Sequence, residues 1–431
     1  MEVSPMNIQS DRAFLPAGRS ARRHLVFRVT APGKAQQSER PAVNVAVVLD
    51  RSGSMAGRKF ALARQAVAHA AQLLSERDRL SVVCFDHEVE TLLESAPVTA
   101  GVRAQVAERL TAIEPRGNTD LHRGWTTGAA QVKPAAAPPD IQRDDVVRRV
   151  LLLTDGQANC GETSPDLLAS TAAELAQAGV ATTCFGLGAD FDEQLLARIS
   201  REGAGRFYYI EAPQQIADYF TSELGEALEV VARDAVLEIA GGPGVVFTCL
   251  NDFRVDVSHK GAFLRMHLGD LVAEQQVIVV VSADFEPTGA SVRPVAARLG
   301  DRDGVLYPKP MDIDWRVVSV EADAAQPVSA EVVTEVALLY AASARATAVA
   351  ANRAGDFAVA RRCIREGVEA IRALAPNVAA VQRVADELAQ QVEVFEQRLS
   401  VYRLKDEHFD TTSMLRSRGP RGRARQRDRA S

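Results

Sequence analysis

Cysteine is scarce in this chain and poorly placed for chemistry. The five residues, Cys84, Cys160, Cys184, Cys249 and Cys363, are scattered, odd in number and mostly set inside apolar runs. No Cys-x-x-Cys pair or Cys/His spacing points to zinc, so the pattern reads as reduced, structural thiols. None of the seven histidines falls in a nucleophile–base–acid motif, which argues against an enzyme. Long apolar runs are missing too: none approaches the roughly 20 residues needed to span a bilayer. The first 18 residues have no basic stretch leading into an apolar one, so no secretory signal is expected. The expected location is cytoplasmic. Gly33-Lys34 lacks the first glycine of a phosphate loop, and Ala35 stands where Ser or Thr is needed, which removes that motif.

What is present is an ordinary globular composition, 47% hydrophobic and 25% charged, in 431 residues, enough for about two to four domains. The net charge of −6 hides an asymmetry. Residues 416–429 carry Arg416, Arg418, Arg421, Arg423, Arg425, Arg427 and Arg429 against Asp428 alone, so the rest of the chain is more acidic than the total.

Residues 1–19 read as irregular, and residues 22–31 alternate as a half-buried strand does. From residue 42, apolar strands and helical patterns take turns. Strands are expected at 43–49, 80–85, 88–93, 147–153, 180–187 and 206–210. Helices are expected at 60–74, 102–113, from 119–120, at 165–178, 192–200 and 213–232, with Gly179 closing the fourth. Such alternation implies an α/β unit, a doubly wound, mostly parallel sheet with helices on both faces. Beyond residue 233 short strands separated by Gly, Pro, Asn and Asp suggest a β-sandwich, which the early strand is expected to join, making the α/β unit an insertion. Residues 327–404 are Ala-rich and read as a bundle of three helices, the first two similar to a single tetratricopeptide-type hairpin. The expected organisation is therefore an N-terminal segment (1–41), the α/β unit (42–232), a sandwich (233–326), a helical bundle (327–404) and a disordered Arg-rich tail (405–431).

The chemistry gathers on the loop after the strand at 43–49. Asp50, Ser52 and Ser54 put a carboxylate and two hydroxyls at alternate positions, oxygen ligands suited to a hard divalent cation. Thr119, on a loop before a helix, and Asp155, at the end of strand 147–153, belong to loops on the same sheet edge in such a topology. Taken singly, each of these five residues reads more readily as a turn, cap or loop residue. Together, in the wording VVLDRSGSM, GNTDL and LLLTDGQAN, they resemble the metal-ion-dependent adhesion site of von Willebrand factor type A domains, over about residues 42–225. The resemblance implies Mg²⁺ (or Mn²⁺) held directly by Ser52, Ser54 and Thr119, with Asp50 and Asp155 acting through water. An open coordination position would remain for a carboxylate of a partner protein. Asp120, Gln157 and Asn159 read as polar neighbours. Leu268-Gly269-Asp270-Leu271 and the strand after it resemble the sandwich of bacterial proteins distantly similar to inter-alpha-trypsin inhibitor heavy chains and to so-called calcium-activated chloride channel proteins.

Near the end, acids precede Thr411-Thr412-Ser413 and Arg416 follows, similar to the phosphorylation site of actinobacterial forkhead-associated regulators. Phosphate on Thr411 or Thr412 would suit an Arg-lined phosphothreonine pocket, whereas the bland reading is a polar, disordered end. The Arg run lacks interleaved aromatics, which argues against a nucleic-acid platform. The expected function is a non-enzymatic, metal-dependent protein-binding scaffold or adaptor. Alternatives are a co-factor subunit for an AAA+ ATPase and, with less support, a metal-dependent phosphoester-processing enzyme.

Overall fold

The computed structural model describes residues 4–33, 40–133, 146–287, 289–306 and 310–426. The chain forms two compact units, residues 34–231 and residues 1–33 joined with 232–431. The first is thus an insertion in the second.

Three strands precede the insertion: β1 (Met6–Ser10), β2 (Phe14–Pro16) and β3 (Ala21–Thr30). Residues 1–19, expected to be irregular, therefore supply two strands. They are short and only partly buried, so they carry no periodicity, and their partners lie elsewhere in the sequence. β1 pairs with β3, and β2 pairs in parallel with a strand near residue 316.

The inserted unit runs β4 (Val43–Asp50), α1 (Arg58–Leu73), β5 (Arg79–Phe85), β6 (Val89–Pro97), α2 (Ala100–Thr111), α3 (Leu121–Val132) and β7 (Val147–Thr154). It continues with α4 (Pro165–Gln177), β8 (Val180–Leu187), α5 (Glu193–Glu202), β9 (Ala204–Ile210) and α6 (Ile216–Ala227). The sheet order is β6-β5-β4-β7-β8-β9, with β6 alone antiparallel. This is a Rossmann-like, doubly wound core. Every residue of β4, β7 and β8 is buried, which is why these strands read as largely apolar runs rather than alternations. From β4 the chain builds outward through β5 and β6 on one side and through β7, β8 and β9 on the other. The crevice at the carboxyl ends of β4 and β7 is therefore the switch point, where such sheets bind ligands. Helix α3 lies close on the sheet because Gly128 has no side chain; a Cβ there would stand 2.2 Å from Val48 Cγ2.

The helix expected to reach residue 232 stops at Ala227, and β10 (Val230–Gly241) begins three residues later. Buried Ala235, Leu237 and Ile239 alternate with partly exposed residues, so period two wins over period 3.6 there. The strands that follow are β11 (Val245–Cys249), β12 (Arg254–Ser258), β13 (Phe263–Val272), β14 (Gln276–Phe285), β15 (Val292–Gly300) and β16 (Met311–Val318). They form two sheets, β1-β3-β14-β11 and β12-β13-β10-β15-β16-β2. Phe285 of the first meets Trp315 of the second edge-on, ring centres 5.1 Å apart. Strand β16 was not expected, although MDIDWRVV alternates around Ile313 and the buried Trp315.

After α7 (Val320–Ala325) come α8 (Ala330–Arg353), α9 (Phe357–Leu374), α10 (Ala379–Ala389) and α11 (Val401–Leu415). Helix α8 is long and apolar enough, by length and composition, to cross a membrane, although its apolar residues do not form one unbroken run. Half of its apolar window is buried inside this unit. Val332, Val336 and Leu339 pack on Val26, Ile278 and Val280 of the sheet, so the helical bundle sits on the sandwich and the two share one unit.

The tail expected to be disordered from residue 405 is instead helical to Leu415 and docked beyond it. Leu404, Phe409 and Thr411 are buried. Strand β14 pairs with β3 from residue 276, but with β11 only from residue 281, which leaves backbone donors of β14 uncovered. The tail covers them: Ile278 N donates to Ser417 Oγ (2.8 Å) and Gln276 N to the Arg425 carbonyl (2.9 Å). Arg427 and Arg429, and the Ala/Pro-rich loop 134–140, lie outside the described residues.

Candidate functional site

Asp50 is the last residue of β4, and beside it lie Thr154, the last residue of β7, and Asp155. Both carboxylates are fully buried. Asp50 Oδ1 accepts from the backbone N–H of Ser52 (2.7 Å) and Oδ2 from Thr154 Oγ1 (2.5 Å). Ser52 Oγ stands 3.1 Å from Ser54 Oγ, which donates to Asp155 Oδ1 at 2.6 Å. The second oxygen of Asp155 accepts from Lys59 Nζ at 2.5 Å. Thr119 is held by Asn159 in both directions: Thr119 N donates to Asn159 Oδ1 (2.9 Å) and Asn159 N to the Thr119 carbonyl (3.2 Å). A Cβ built on Gly156 would stand 3.4 Å from Thr119 Oγ1 and 3.7 Å from Ser54 Oγ, so the two hydroxyls flank that glycine. The structure thus brings Asp50, Ser52, Ser54, Thr119 and Asp155 to one rim. Asp50, Ser52, Thr119 and Asp155 are buried, whereas Ser54 is exposed and opens the cluster to solvent.

Burial pushes the Asp50 carboxyl up to about 6 from its ordinary 3.8; hydrogen bonds from Thr154 and Ser52 oppose this, and the neighbouring Asp155 adds to it. The folded state therefore binds a proton that the unfolded state has lost. Stability falls as pH rises from about 4 to about 6, and the ionised form costs roughly 3 kcal/mol at neutral pH. In EDTA at pH 7, Asp50→Asn is expected to raise unfolding stability by about 1–2 kcal/mol, once weakened hydrogen bonds are subtracted. Urea denaturation of both proteins measures this, and a gain that persists at pH 4 would contradict it.

Around the rim lies a second layer that sequence reading missed. Arg51, between the ligand-type residues, is 4% exposed, and its Nε donates to Asp86 Oδ2 at 3.0 Å. Arg116 Nε donates to the same oxygen at 3.0 Å, and Arg116 N donates to the Arg51 carbonyl at 2.7 Å. With Gly53 N on the Gly117 carbonyl (3.2 Å), this ties the Asp50 loop to the loop carrying Thr119. Gly117 has φ +69° and lies under His87; a Cβ there would stand 2.1 Å from His87 Nδ1. Asp86, His87 and Glu88 bring ligand atoms within 4.8 Å of one another, a grouping that could chelate a divalent ion. Of the polar neighbours singled out, Asp120 caps α3 by accepting from Arg123 N (3.1 Å), Asn159 holds Thr119, and Gln157 is exposed. A signal for Asp86 existed in the sequence: it stands at the carboxyl end of a buried strand, as Asp50 and Asp155 do.

Elsewhere, Asp11 Oδ2, His24 Nδ1 and Nε2, and Tyr340 Oη line up at 3.3 Å each, an acid–histidine–hydroxyl order that the sequence did not suggest. Burial raises the Tyr340 hydroxyl above its ordinary value, the opposite of an activated nucleophile. Thr411 is 3% exposed, and its hydroxyl donates to the carbonyls of Glu407 (2.7 Å) and His408 (3.0 Å) within α11. A kinase would have to unwind that helix to reach it; Thr412 beside it is only partly covered.

Residues 44–222 match the model of the von Willebrand factor type A domain. An uncharacterized protein of Synechocystis sp., sll0103, is 26% identical over 265 residues, 59% of this chain and 60% of that protein. Inter alpha-trypsin inhibitor, heavy chain 4, of Mus musculus is 24% identical over 257 residues, 55% of this chain but 27% of that protein. The chain therefore spans less than two thirds of the length of these curated relatives. Among solved structures, a von Willebrand factor type A protein from Catenulispora acidiphila superposes with a TM-score of 0.71 at 17% identity, covering 95% of this chain and 96% of that one. Residues 44–222 thus form a domain of von Willebrand factor type A fold, similar to those of inter-alpha-trypsin inhibitor heavy chains and of bacterial proteins.

Proposed function

We propose that the rim holds a hard divalent cation, Mg²⁺ or Mn²⁺, and that the chain is a non-enzymatic module binding an acidic side chain of a partner protein through it. Ser52, Ser54 and Thr119 would be direct ligands, and Asp50 and Asp155 would act through water. The observation that carries this reading is the spacing of the oxygens. Ser52 Oγ and Ser54 Oγ, two of these direct ligands, are 3.1 Å apart, and Ser54 Oγ is hydrogen-bonded to Asp155 Oδ1 at 2.6 Å, which keeps that carboxylate beside them. Neighbouring vertices of an octahedron of radius about 2.1 Å are ~3.0 Å apart. The donors are hydroxyls and carboxylates, the hard ligands Mg²⁺ prefers, and exposed Ser54 leaves a way in from solvent. A bound divalent ion would offer an incoming carboxylate a strong electrostatic contact.

The grouping of Asp86, His87 and Glu88 is a weaker candidate for the ion. Asp86 Oδ2 already accepts from two guanidinium groups, Arg51 and Arg116, which leave little negative potential for a third cation. Isothermal titration with MgCl₂ is expected to show binding to the wild-type chain and none to Asp50→Ala/Ser52→Ala. Affinity purification in Mg²⁺ should retain partner proteins that EDTA, or the double variant, releases. Capture that is indifferent to both would overturn the reading.

A further inference from the structure

Lys59 is a cation in an unfavourable place. It lies in the first turn of α1 next to Arg58, with no acidic residue in that turn. The positive end of the helix dipole disfavours two cations there. Its side chain is 30% exposed, yet Nζ reaches Asp155 Oδ2 at 2.5 Å across 96 residues of sequence. It also passes within 3.9 Å of where a Cβ on Gly188, just past the end of β8, would stand. The position therefore serves the rim rather than the helix.

We propose that Lys59 is a built-in counter-cation that makes metal loading depend on the acidic ligand. This rests on the metal reading above. The formal charges at the rim are Asp50, Asp155 and Lys59, a total of −1, because Arg51 is turned away to Asp86. A divalent ion brings that total to +1. Without Lys59 the loaded rim would be neutral. Two consequences follow from Coulomb repulsion between the ammonium and the ion. The metal binds weakly by itself, and an incoming carboxylate restores neutrality, so metal and anionic ligand strengthen each other. Lys59 would thus set both the preference for an acidic partner and the cooperativity of its capture. By linkage, the ligand must raise metal affinity by the same factor that the metal raises ligand affinity.

The test is Mn²⁺ binding to the full chain, followed by electron paramagnetic resonance, with and without acetate as the carboxylate probe. Lys59→Met is expected to bind Mn²⁺ on the order of tenfold tighter than wild type without acetate. Acetate should tighten Mn²⁺ binding to the wild type and to Lys59→Arg, and leave Lys59→Met nearly unchanged. Lys59→Gln repeats the comparison should the Met variant melt early. Unchanged or weaker Mn²⁺ binding by both neutral variants would overturn the role given to Lys59 while leaving the metal site standing. Wild-type Mn²⁺ binding that is absent, or that survives Asp50→Ala/Ser52→Ala, would instead sink the metal reading and this inference with it.

Discussion

Glu223→Gln is expected to cost the inserted unit about 3–5 kcal/mol, the range for removing one partner of a buried ion pair. Glu223, on α6, is fully buried and joins that helix to three strands. Its Oε1 accepts from Thr183 of β8 (2.9 Å) and lies 3.4 Å from Arg149 Nη1 of β7. Its Oε2 accepts from Arg206 (3.0 Å) and Tyr208 (2.9 Å) of β9. The amide would keep the shape and lose the charge that Arg149 and Arg206, 2% and 8% exposed, were buried against. Glu226, 2.6 Å from Arg206, retains part of that pairing, so the variant should fold but melt early.

The same residue sets an acid limit. Burial alone would raise the Glu223 carboxyl, but Arg206 and Arg149, with hydrogen bonds from Thr183 and Tyr208, hold it at about 2 against an ordinary 4.5. Its folded value is depressed, so the stability it contributes is present above pH 4.5 and lost as pH falls toward 2. The amount is roughly 3 kcal/mol. Glu223→Gln has no such group. Urea denaturation of the two proteins should therefore show a wide gap at pH 7 that narrows below pH 4. A gap that stays constant with pH would show that Glu223 acts through shape alone.

Asp86→Ala is expected to destabilise the chain by about 3 kcal/mol and to weaken Mg²⁺ binding as well. Asp86 is buried and takes Arg51 and Arg116 on one oxygen, while Glu88 N donates to the other at 2.6 Å. Burial would raise its carboxyl, but the Glu88 N–H and the Arg116 and Arg51 guanidiniums outweigh it and keep the carboxyl below the ordinary range. Without it, Arg51 keeps Glu90 at 2.6 Å, an acid half open to solvent, and the link between the Asp50 and Thr119 loops loosens. Calorimetric titration with MgCl₂ separates the effects. A melt shifted with Mg²⁺ affinity intact would make the network a stability device only.

How much of this was legible without coordinates differs residue by residue. Asp50, Ser52 and Ser54 stand within five positions of each other, so their chemistry is written locally. Thr119 and Asp155 became candidates because strand–helix alternation says which loops share an edge. Lys59 and Arg51 carried no such mark: a basic residue at the start of a helix or inside a loop usually faces water. Asn159 was visible as a polar neighbour, but not as the clamp on Thr119. Strand β16 was missed although its period-two pattern was present, and the tail was misread because runs of arginine resemble solvated chain.

The division has a physical cause. Periodicity, capping and ligand type act over a handful of residues, so the string alone already commits the chain to a doubly wound sheet with oxygen donors at its switch point. Charge pairing and edge covering act through space. Lys59 meets Asp155 across 96 positions, Thr154 meets Asp50 across 104, and Ser417 covers Ile278 across 139. None of these distances is implied by either partner's neighbours in sequence. It took the folded chain to turn a solvated lysine into a charge on the rim and a loose tail into the cover of an unfinished strand.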